Sequence, residues 1–434
     1  MNLVAIVGRP NVGKSTLFNR LIGARLAIVE DTPGVTRDRV YGKSEWNGKK
    51  FDVIDTGGFI PGSEDKIEKA IREQAMIAIE EADTIIFVVD GITGSTKFDE
   101  DLAVILRNSV KPIVLVVNKC DNEMADHNSY EFYSLGLGEP FPISAVNGRS
   151  TGDFLDIVTS TFSDVEEEET DDLKIAFLGR PNVGKSSLTN ALLGVDRMIV
   201  TDIPGTTRDS IDSTIKYHGE NIVLIDTAGL RKRAQVHENV EMWSTVRTAR
   251  AIDRCDVGVL MIDATRGLED QDKRILVQIE EARKGIIIAI NKWDILEGKD
   301  EFTAHQIRKE IKGMLQTFDY VPVIFISAIT KQRINKVLDD AKEIQARRMN
   351  RISTSKLNDT LSHFFEQTPP PSSRGYDMRV NYLTQVNVDP PVFAIFLNNP
   401  KYLKTPYKRF IERKIRENFD FEGTPISLVF RKKN

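Results

Sequence analysis

The sequence has few cysteines and no long apolar run. Among its 434 residues only Cys120 and Cys255 are cysteines. Two cysteines are too few for a disulfide framework, and these two lack the spacing of metal ligands. Every apolar run is about five to seven residues long, far short of the roughly 20 residues that a membrane helix needs. We therefore expect no membrane partner, and a cytoplasmic location because the first residues lack the pattern of an export signal.

Charge is distributed unevenly along the chain. The whole sequence carries a net charge of -5, yet from Arg347 to the end 16 Lys and Arg stand against 8 Asp and Glu. The last segment is therefore basic and the rest of the chain is acidic. This asymmetry favours a polyanionic partner. A solvated basic tail without any partner is the alternative interpretation.

A long internal repeat organises the sequence. The eight residues Gly8 to Ser15 recur without change at Gly179 to Ser186. At the same offset Thr36-Arg37-Asp38 recurs as Thr207-Arg208-Asp209, and Asp55-Thr56-Gly57-Gly58 recurs as Asp226-Thr227-Ala228-Gly229. The period is far too long for one unit of a solenoid, so the pattern indicates a duplicated domain.

Each copy alternates apolar, β-branched runs with segments of helical length. This pattern predicts an α/β fold with a mostly parallel sheet and helices on both faces. The predicted strands are Leu3 to Val7, Phe51 to Ile54, Thr84 to Val89, Pro112 to Val117 and Phe141 to Ile143, then Lys174 to Leu178, Ile222 to Ile225, Val257 to Ile262, Gly285 to Ile290 and Val323 to Ile326.

The pattern changes after the second copy and predicts a small α+β domain. Its predicted elements are a helix at Lys356 to Gln367, strands at Arg379 to Val388 and Val392 to Leu397, a helix at Pro406 to Asn418 and a strand at Ile426 to Phe430. Pro390-Pro391 is expected between two strands, since proline interrupts a ladder. The predicted domains are 1–162, an acidic linker at 163–172, 173–347 and 348–434. An acidic contact surface is the alternative for the linker.

The repeated octapeptide is a phosphate-binding loop. A strand, the pattern Gly-x-x-x-x-Gly-Lys-Ser and a helix follow one another, so backbone N–H groups and the helix N-terminus can surround phosphates. Lys14 and Lys185 would neutralise the β and γ phosphates, while Ser15 and Ser186 would ligate Mg²⁺. Asp55 and Asp226 would hold Mg²⁺ through water, and Gly58 and Gly229 would offer an N–H to the γ phosphate.

A second pair of motifs selects the base. Asn118-Lys119-Cys120-Asp121 and Asn291-Lys292-Trp293-Asp294 each follow a buried strand. The aspartate accepts two hydrogen bonds from guanine that adenine does not offer, which favours GTP over ATP. The lysine stem would cover the base, the asparagine would tie this loop to the phosphate loop, and Ser144-Ala145 and Ser327-Ala328 would bring N–H groups to the guanine oxygen.

The predicted contacts with GTP or GDP fall into two sets of equal size. The first set is Gly8, Arg9, Pro10, Asn11, Val12, Gly13, Lys14, Ser15, Thr16, Asp55, Thr56, Gly57, Gly58, Asn118, Lys119, Asp121, Ser144 and Ala145. The second set is Gly179, Arg180, Pro181, Asn182, Val183, Gly184, Lys185, Ser186, Ser187, Asp226, Thr227, Ala228, Gly229, Asn291, Lys292, Asp294, Ser327 and Ala328.

With these motifs in order, the chain resembles Era-like GTPases, and its duplicated module with a basic C-terminal domain resembles the tandem-domain ribosome-assembly GTPases called Der or EngA. The resemblance extends to Tyr382-Leu383-Thr384-Gln385 and Phe421-Glu422-Gly423-Thr424-Pro425-Ile426. It implies GTP hydrolysis, a KH-like third domain, and a partnership with the large ribosomal subunit and its rRNA in assembly of that subunit. It also assigns Thr36 and Thr207 to the switch threonine that closes over Mg²⁺ and the γ phosphate.

The position after Asp-x-x-Gly departs from Ras-like enzymes. A glutamine there orients the attacking water, but this chain has Phe59 and Leu230. Similar families with apolar residues here use K⁺, bound partly by the phosphate-loop asparagine, which corresponds to Asn11 and Asn182. We therefore hypothesise K⁺-stimulated hydrolysis. Arg37 and Arg208 are the alternative source of positive charge.

The last domain departs from nucleic-acid-binding KH modules because it lacks a Gly-x-x-Gly loop. Its basic residues cluster instead along one predicted helix, at Lys408, Arg409, Arg413, Lys414 and Arg416, and at the end, Arg431-Lys432-Lys433. The loop Ser327 to Lys331 also lacks the glycine found in the first copy at Gly148, which leaves its conformation open.

Two alternatives remain, one about the number of hydrolysing sites and one about the RNA partner. One copy would hydrolyse GTP while the other senses nucleotide, or the protein would act on another RNA target, as in tRNA modification. In each case we expect a monomer without a DNA partner.

Overall fold

The computed structural model describes residues 2–23, 41–56, 76, 78–79, 81–162, 171–194, 212–226, 240–296, 301–372 and 378–432. By their contacts these fall into two compact units. The first unit is Met1–Glu169 with His237–Val246, and the second is Thr170–Val236 with Arg247–Asn434.

The first unit contains a six-stranded sheet with strand order β2-β3-β1-β4-β5-β6. Strand β2 is antiparallel to β3, and the other pairs are parallel. The strands are β1 (Asn2–Val7), β2 (Tyr41–Trp46), β3 (Lys49–Asp55), β4 (Thr84–Asp90), β5 (Ile113–Asn118) and β6 (Phe141–Pro142). The helices are α1 (Lys14–Gly23), α2 (Lys97–Arg107), the short α3 (Glu123–Asp126) and α4 (Thr151–Ser160), with a 3-10 helix at His127–Leu135.

Both faces of this sheet are buried, which explains why its strands are continuously apolar. Successive residues of β1 enter opposite cores because side chains alternate along a strand. Leu3 and Val7 pack in the core that includes helix α2, while Val4 and Ile6 pack in the core beneath α1 and α4.

The second unit repeats this arrangement in the sheet order β8-β9-β7-β10-β11-β12. Only β8 is antiparallel to its neighbour. The strands are β7 (Leu173–Leu178), β8 (Ser213–Tyr217), β9 (Glu220–Ile225), β10 (Val257–Asp263), β11 (Gly285–Asn291) and β12 (Val323–Phe325). The helices are α5 (Lys185–Leu193), α6 (Val240–Arg254), α7 (Asp270–Glu281), α8 (Glu301–Met314) and α9 (Ile334–Arg348), with 3-10 helices at Trp293–Ile295 and Gln316–Phe318. Of α6, the part from Arg247 onward belongs to this unit and residues 240–246 belong to the first.

The C-terminal part of the second unit has a sheet and core of its own. Strand β13 (Val380–Asn387) is antiparallel to β14 (Val392–Leu397), and β14 is parallel to β15 (Ser427–Lys432). Helices α10 (Thr354–Gln367) and α11 (Thr405–Asn418) supply the rest of the apolar core, and a 3-10 helix lies at Pro400–Tyr402. This is the predicted small α+β fold, with Pro390-Pro391 between two strands as expected.

Gly423 joins this C-terminal part to the sheet of the second copy. Its N–H donates to Tyr320 O at 2.7 Å, and its carbonyl accepts from Ile286 N at 2.8 Å. Its φ is +69°, and a Cβ there would stand 2.3 Å from Ile344 Cδ1. A residue with a side chain would therefore be strained and would collide with α9.

Three cations of the C-terminal segment also contribute to the contact between the C-terminal part and the second copy. The guanidinium of Arg416 stacks 3.7 Å from the centre of the Tyr320 ring. Arg347 pairs with Asp420 at 2.7 Å, and Arg348 donates to Asp389. Arg416, which the sequence placed on a basic helix face, is therefore packed inside the unit and does not belong to an exposed basic surface.

The antiparallel strands β2 and β8 are absent from the strands predicted by sequence. Strand β2 reads Tyr-Gly-Lys-Ser-Glu-Trp and buries only Ser44. An edge strand has one neighbour and little core to cover, so it lacks the apolar run that marks the other strands. None of the helices in the described part of the chain combines the length and apolarity that crossing a bilayer requires.

Candidate nucleotide-binding sites

In each copy a tight loop joins the first strand of the sheet to the next helix, from β1 to α1 and from β7 to α5. Gly13 and Gly184 have φ of +96° and +100°, a region that L side chains rarely adopt. A Cβ on either glycine would stand 2.2 Å from the Nδ2 atom of Asn118 or Asn291. Both loops therefore require glycine at this position for two independent reasons.

The loop lysines turn back over their own loops. Lys14 Nζ donates to Arg9 O at 2.7 Å, and Lys185 Nζ donates to Gly179 O at 2.5 Å and Arg180 O at 2.7 Å. Burial lowers the pKa of Lys14 to about 8, although nearby Asp55 opposes this effect. A bound polyphosphate would supply the negative charge that this buried ammonium lacks.

The groups expected to hold Mg²⁺ adjoin each other in the first copy. Ser15 Oγ donates to Asp55 Oδ2 at 2.6 Å, and Asp55 is the last residue of β3. A hydroxyl and a carboxylate side by side fit the oxygen preference of Mg²⁺, which when bound neutralises phosphate charge. In the second copy Ser186 is the second residue of α5, as Ser15 is of α1, while Asp226 follows β9 with φ of +58°.

The side chains of the loop arginines bind to neighbouring helices. Arg9 Nε donates to Asp99 Oδ2 at 3.2 Å, and Arg180 Nε lies 3.0 Å from Asp272 Oδ2. Asp99 and Asp272 are fully buried and form the capping boxes that begin α2 and α7. These arginine side chains therefore anchor the loop to a neighbouring helix, which leaves the backbone as their means of contacting nucleotide.

The guanine-loop asparagine makes the predicted tie to the phosphate loop. Asn118 Nδ2 donates to Val12 O at 2.8 Å, and its Oδ1 accepts from Ala145 N at 2.9 Å. Asn291 repeats both bonds with Val183 O at 2.8 Å and Ala328 N at 3.0 Å. The sequence predicted that the alanine N–H faces the guanine oxygen, and in this structure it donates to the asparagine.

The candidate base-selecting aspartate of the first copy contacts the loop that follows β6. Asp121 is exposed, and its Oδ1 accepts from Ser144 Oγ at 2.7 Å and from Asn147 Nδ2 at 3.2 Å. In the second copy Ser327 Oγ accepts from Thr330 N at 3.0 Å. Asp294 is the middle residue of the 3-10 helix Trp293–Ile295. The serine thus orders its own loop in both copies, and in the first it also orients the aspartate.

The loop whose conformation the sequence left open has the same backbone in both copies. An antiparallel bridge joins Ser144 to Arg149, and another joins Ser327 to Gln332. Gly148 has φ of +79°, and Lys331, at the equivalent position, has φ of +57°. A lysine therefore occupies the left-handed position that a glycine fills in the first copy, at some conformational cost.

Of the remaining residues predicted to contact nucleotide, some lie in the described part of the chain and others lie outside it. Val12 and Val183 are buried, and Thr56 donates to Ile6 O at 2.8 Å. Pro10 is partly buried, and Asn11, Pro181 and Asn182 are exposed in the loops. Thr16 and Ser187 are exposed in the first turns of α1 and α5. The predicted residues outside the described part of the chain are Thr36, Gly57, Gly58, Thr207, Thr227, Ala228 and Gly229, together with Arg37, Arg208, Phe59 and Leu230.

Sequence reasoning missed one pair of residues at these sites. Asp90 ends β4 and contacts Lys119, and Asp263 ends β10 and contacts Lys292. Each aspartate comes directly after the apolar residues of its own strand, and the recurrence of this pattern in both copies was the available signal.

Comparison with known proteins identifies the family. Residues 3–119 and 174–292, more than half of the chain, match the family model described as 50S ribosome-binding GTPase. Residues 351–431 match the model described as the KH-domain-like C-terminal part of EngA bacterial GTPase enzymes. A protein named GTPase Der from Amoebophilus asiaticus is 50% identical over 432 residues, which cover 100% of both chains. The chain belongs to the Der family of GTPases.

Other Der proteins are similar over their whole length. The relative from Clostridium acetobutylicum is 50% identical over 99% of both chains, and the one from Bacteroides thetaiotaomicron is 48% identical over 100% of both. Among solved structures, Era from Aquifex aeolicus bound to GDP·AlF4⁻ is 25% identical, with a TM-score of 0.30, over 58% of this chain and 87% of that chain.

Membership of this family confirms several predictions. This Der-family protein has two tandem GTPase domains with mostly parallel sheets and a C-terminal KH-like domain. It binds GTP and GDP and hydrolyses GTP, and it is a member of a ribosome-associated family.

Proposed function

We propose that this GTPase acts in assembly of the large ribosomal subunit, and that both of its nucleotide sites hydrolyse GTP with Mg²⁺. The observation that carries the proposal is the presence, on one chain, of two matching phosphate and guanine loops together with a basic KH-like domain. Full-length relatives named GTPase Der and a family model described as 50S ribosome-binding support it. The domain limits that we propose are 1–162, 173–347 and 348–434.

The basic KH-like domain is the proposed contact with rRNA. With Arg347, Arg348 and Arg416 engaged inside the second unit, other cations must provide the contact. Lys401, Lys404, Arg409, Arg431 and Lys432 are exposed. Arg413 is 65% exposed although it pairs with Glu417. Such cations bind phosphate groups by displacing counterions, so the contact should weaken as salt rises.

Cosedimentation with ribosomal subunits tests this function directly. The full chain is mixed with purified large and small subunits in the presence of GTP, a non-hydrolysable GTP analogue or GDP. We expect association with the large subunit that depends on the bound nucleotide. The combined variant Arg409→Glu and Lys432→Glu should bind about 10-fold or more weakly at moderate salt.

The control variant reverses two exposed cations in the second GTPase domain, Arg266→Glu and Lys273→Glu, whose side chains are 59% and 42% exposed. It should bind as the unchanged protein does. Failure of the protein to associate with the large subunit in every nucleotide state would refute the ribosomal role. Association with tRNA alone would favour the alternative RNA target.

We further propose that K⁺ stimulates hydrolysis through Asn11 and Asn182. Both asparagines are exposed in the phosphate loops, and both have φ of +65°. Turnover in KCl should exceed turnover in NaCl at equal ionic strength by about 10-fold, as expected when one fixed positive charge is added near the transferred phosphate. Asn11→Ala and Asn182→Ala should each remove the stimulation at one site. Equal turnover in the two salts would contradict a role for K⁺.

A further inference from the structure

Each nucleotide site has a strand-end aspartate against the lysine of its guanine loop. Lys119 Nζ donates to Asp90 Oδ2 at 2.5 Å, and Lys292 Nζ donates to Asp263 Oδ2 at 2.6 Å. The contact follows from strand register, since Asp90 lies opposite Asn118 and Asp263 lies opposite Asn291. The lysine one residue beyond the asparagine is therefore within reach of the aspartate in both copies.

The two oxygens of each aspartate accept from different groups. Asp90 Oδ1 accepts from Ile92 N at 2.9 Å, so that it closes the turn after β4 while Oδ2 accepts from the lysine. Asp263 Oδ1 accepts from Thr265 N at 2.9 Å and Thr265 Oγ1 at 2.7 Å. Both positions require an acceptor. An asparagine has one acceptor and one donor, so in either orientation it would place a donor against a donor.

These aspartates are buried yet remain charged. Their side chains are 3% and 6% exposed. Burial alone would raise the pKa of the Asp90 carboxyl, but the hydrogen bonds from Lys119, Ile92 and Thr93 hold that pKa below its usual value. The bonds from Lys292 and Thr265 do the same for the pKa of Asp263. The groups that donate to each carboxylate therefore stabilise its charged form.

The lysine is fixed at both ends of its side chain. Its backbone has φ of +71° at Lys119 and +61° at Lys292, in the left-handed region that is sparsely populated by residues other than glycine. Its ammonium is held by the aspartate. The aliphatic stem between these points has already lost most of its rotational freedom before nucleotide binds, so less entropy is lost on binding.

We propose that Asp90 and Asp263 are positioning residues for guanine-nucleotide affinity, which fix the stem of Lys119 or Lys292 where the base will lie. This inference rests on the proposed function of these lysines in covering the base. Each aspartate contacts the lysine of the guanine loop, so the substitution should affect nucleotide affinity and leave the chemical step unchanged.

The test substitutes Asp90→Asn and Asp263→Asn in the full chain and follows dissociation of a fluorescent GDP analogue. Loss of a buried hydrogen bond to a charged group should weaken GDP and GTP binding at the affected site by about 10- to 100-fold. Each variant should accelerate one of two dissociation phases. KM for GTP should rise while kcat at saturating GTP stays within about twofold.

Asp270→Asn is the matched control. Asp270 also pairs with a lysine, at 2.9 Å from Lys273 Nζ, but its side chain is 87% exposed. The same substitution there should leave dissociation unchanged. The thermal unfolding midpoint is measured for every variant, so that a loss of affinity can be distinguished from a loss of folding. Because the ion pair occurs in both copies, each copy provides a separate test.

A double-mutant cycle establishes whether the aspartate acts through the lysine. Lys119→Met removes the ammonium and keeps the stem, so Asp90→Asn should cost little further affinity in that background. The inference is overturned if Asp90→Asn and Asp263→Asn bind normally, or if they cost as much affinity with methionine present as with lysine. Normal binding by Lys119→Met would also overturn the inference, because this variant keeps the stem and removes the ammonium that Asp90 holds. Normal binding by Lys119→Ala, which lacks the stem, would instead refute the placement of the base.

Discussion

Replacement of Lys14 or Lys185 by Ala should lower GTP hydrolysis at the substituted site by about 100- to 1,000-fold. This is the usual loss when one fixed group that stabilises transition-state charge is removed. Each lysine already lies over its phosphate loop, bound to loop carbonyls at 2.5 to 2.7 Å. Phosphate release measured under multiple turnover should show that each single variant keeps only the activity of the other site, and that the double variant has almost none.

Lys97→Ala and Lys273→Ala are suitable controls for these variants. Both lysines lie in the first turns of corresponding helices, α2 and α7. Lys97 is exposed and the Lys273 side chain is 42% exposed, so their removal should not change turnover. Full activity in one of the single variants would show that the substituted copy senses nucleotide without hydrolysing it. That outcome would contradict the proposal that both sites hydrolyse GTP.

Gly13→Ala and Gly184→Ala should each abolish tight nucleotide binding at one of the two sites. The new Cβ would stand 2.2 Å from an asparagine amide that is held by two hydrogen bonds, to Val12 and Ala145 in the first copy. Because this amide is buried and cannot simply rotate away, the clash should break both bonds and weaken binding by about 100-fold or more. The number of tight GDP sites per chain, measured by calorimetric titration, should fall from two to one.

Gly48→Ala and Gly219→Ala separate the collision from backbone strain. These glycines have similar left-handed φ values of +79° and +86°, but a Cβ at either position would meet no heavy atom within 4 Å. They should lose some stability and keep both nucleotides. Loss of binding in these controls, or unchanged binding in Gly13→Ala and Gly184→Ala, would exclude the contact with the asparagine as the reason for glycine.

Local pattern was sufficient to predict the parallel strands and the motifs that follow them. A strand buried on both faces must be apolar along its whole length, and a phosphate loop requires glycine and lysine at fixed spacing. These constraints act within a few residues, so they are visible in one sequence and doubly so in a repeat. The edge strands β2 and β8 escaped prediction because they cover little core and carry no such pattern.

The contact that each charged side chain makes is determined by residues far away along the chain, so the sequence alone did not predict it. The sequence placed Arg416 on a basic helix face, whereas packing of the C-terminal domain sets it against Tyr320. The sequence likewise predicted that Arg9 contacts nucleotide, and because its guanidinium donates to the buried Asp99, the backbone of Arg9 is the part left for that contact. Composition indicates that a segment is basic, but only the packed structure determines which of its cations remain exposed.

The sequence by itself determined the duplicated module, its guanine and phosphate loops and the family to which the chain belongs, because these depend on residues close together along the chain. Only the tertiary structure decided that Asp90 and Asp263 hold the guanine-loop lysines, since that contact requires two adjacent strands in register. It also decided that Lys331 replaces Gly148 in a left-handed position, because the cross-loop bridge from Ser327 to Gln332 fixes the backbone whichever residue is present.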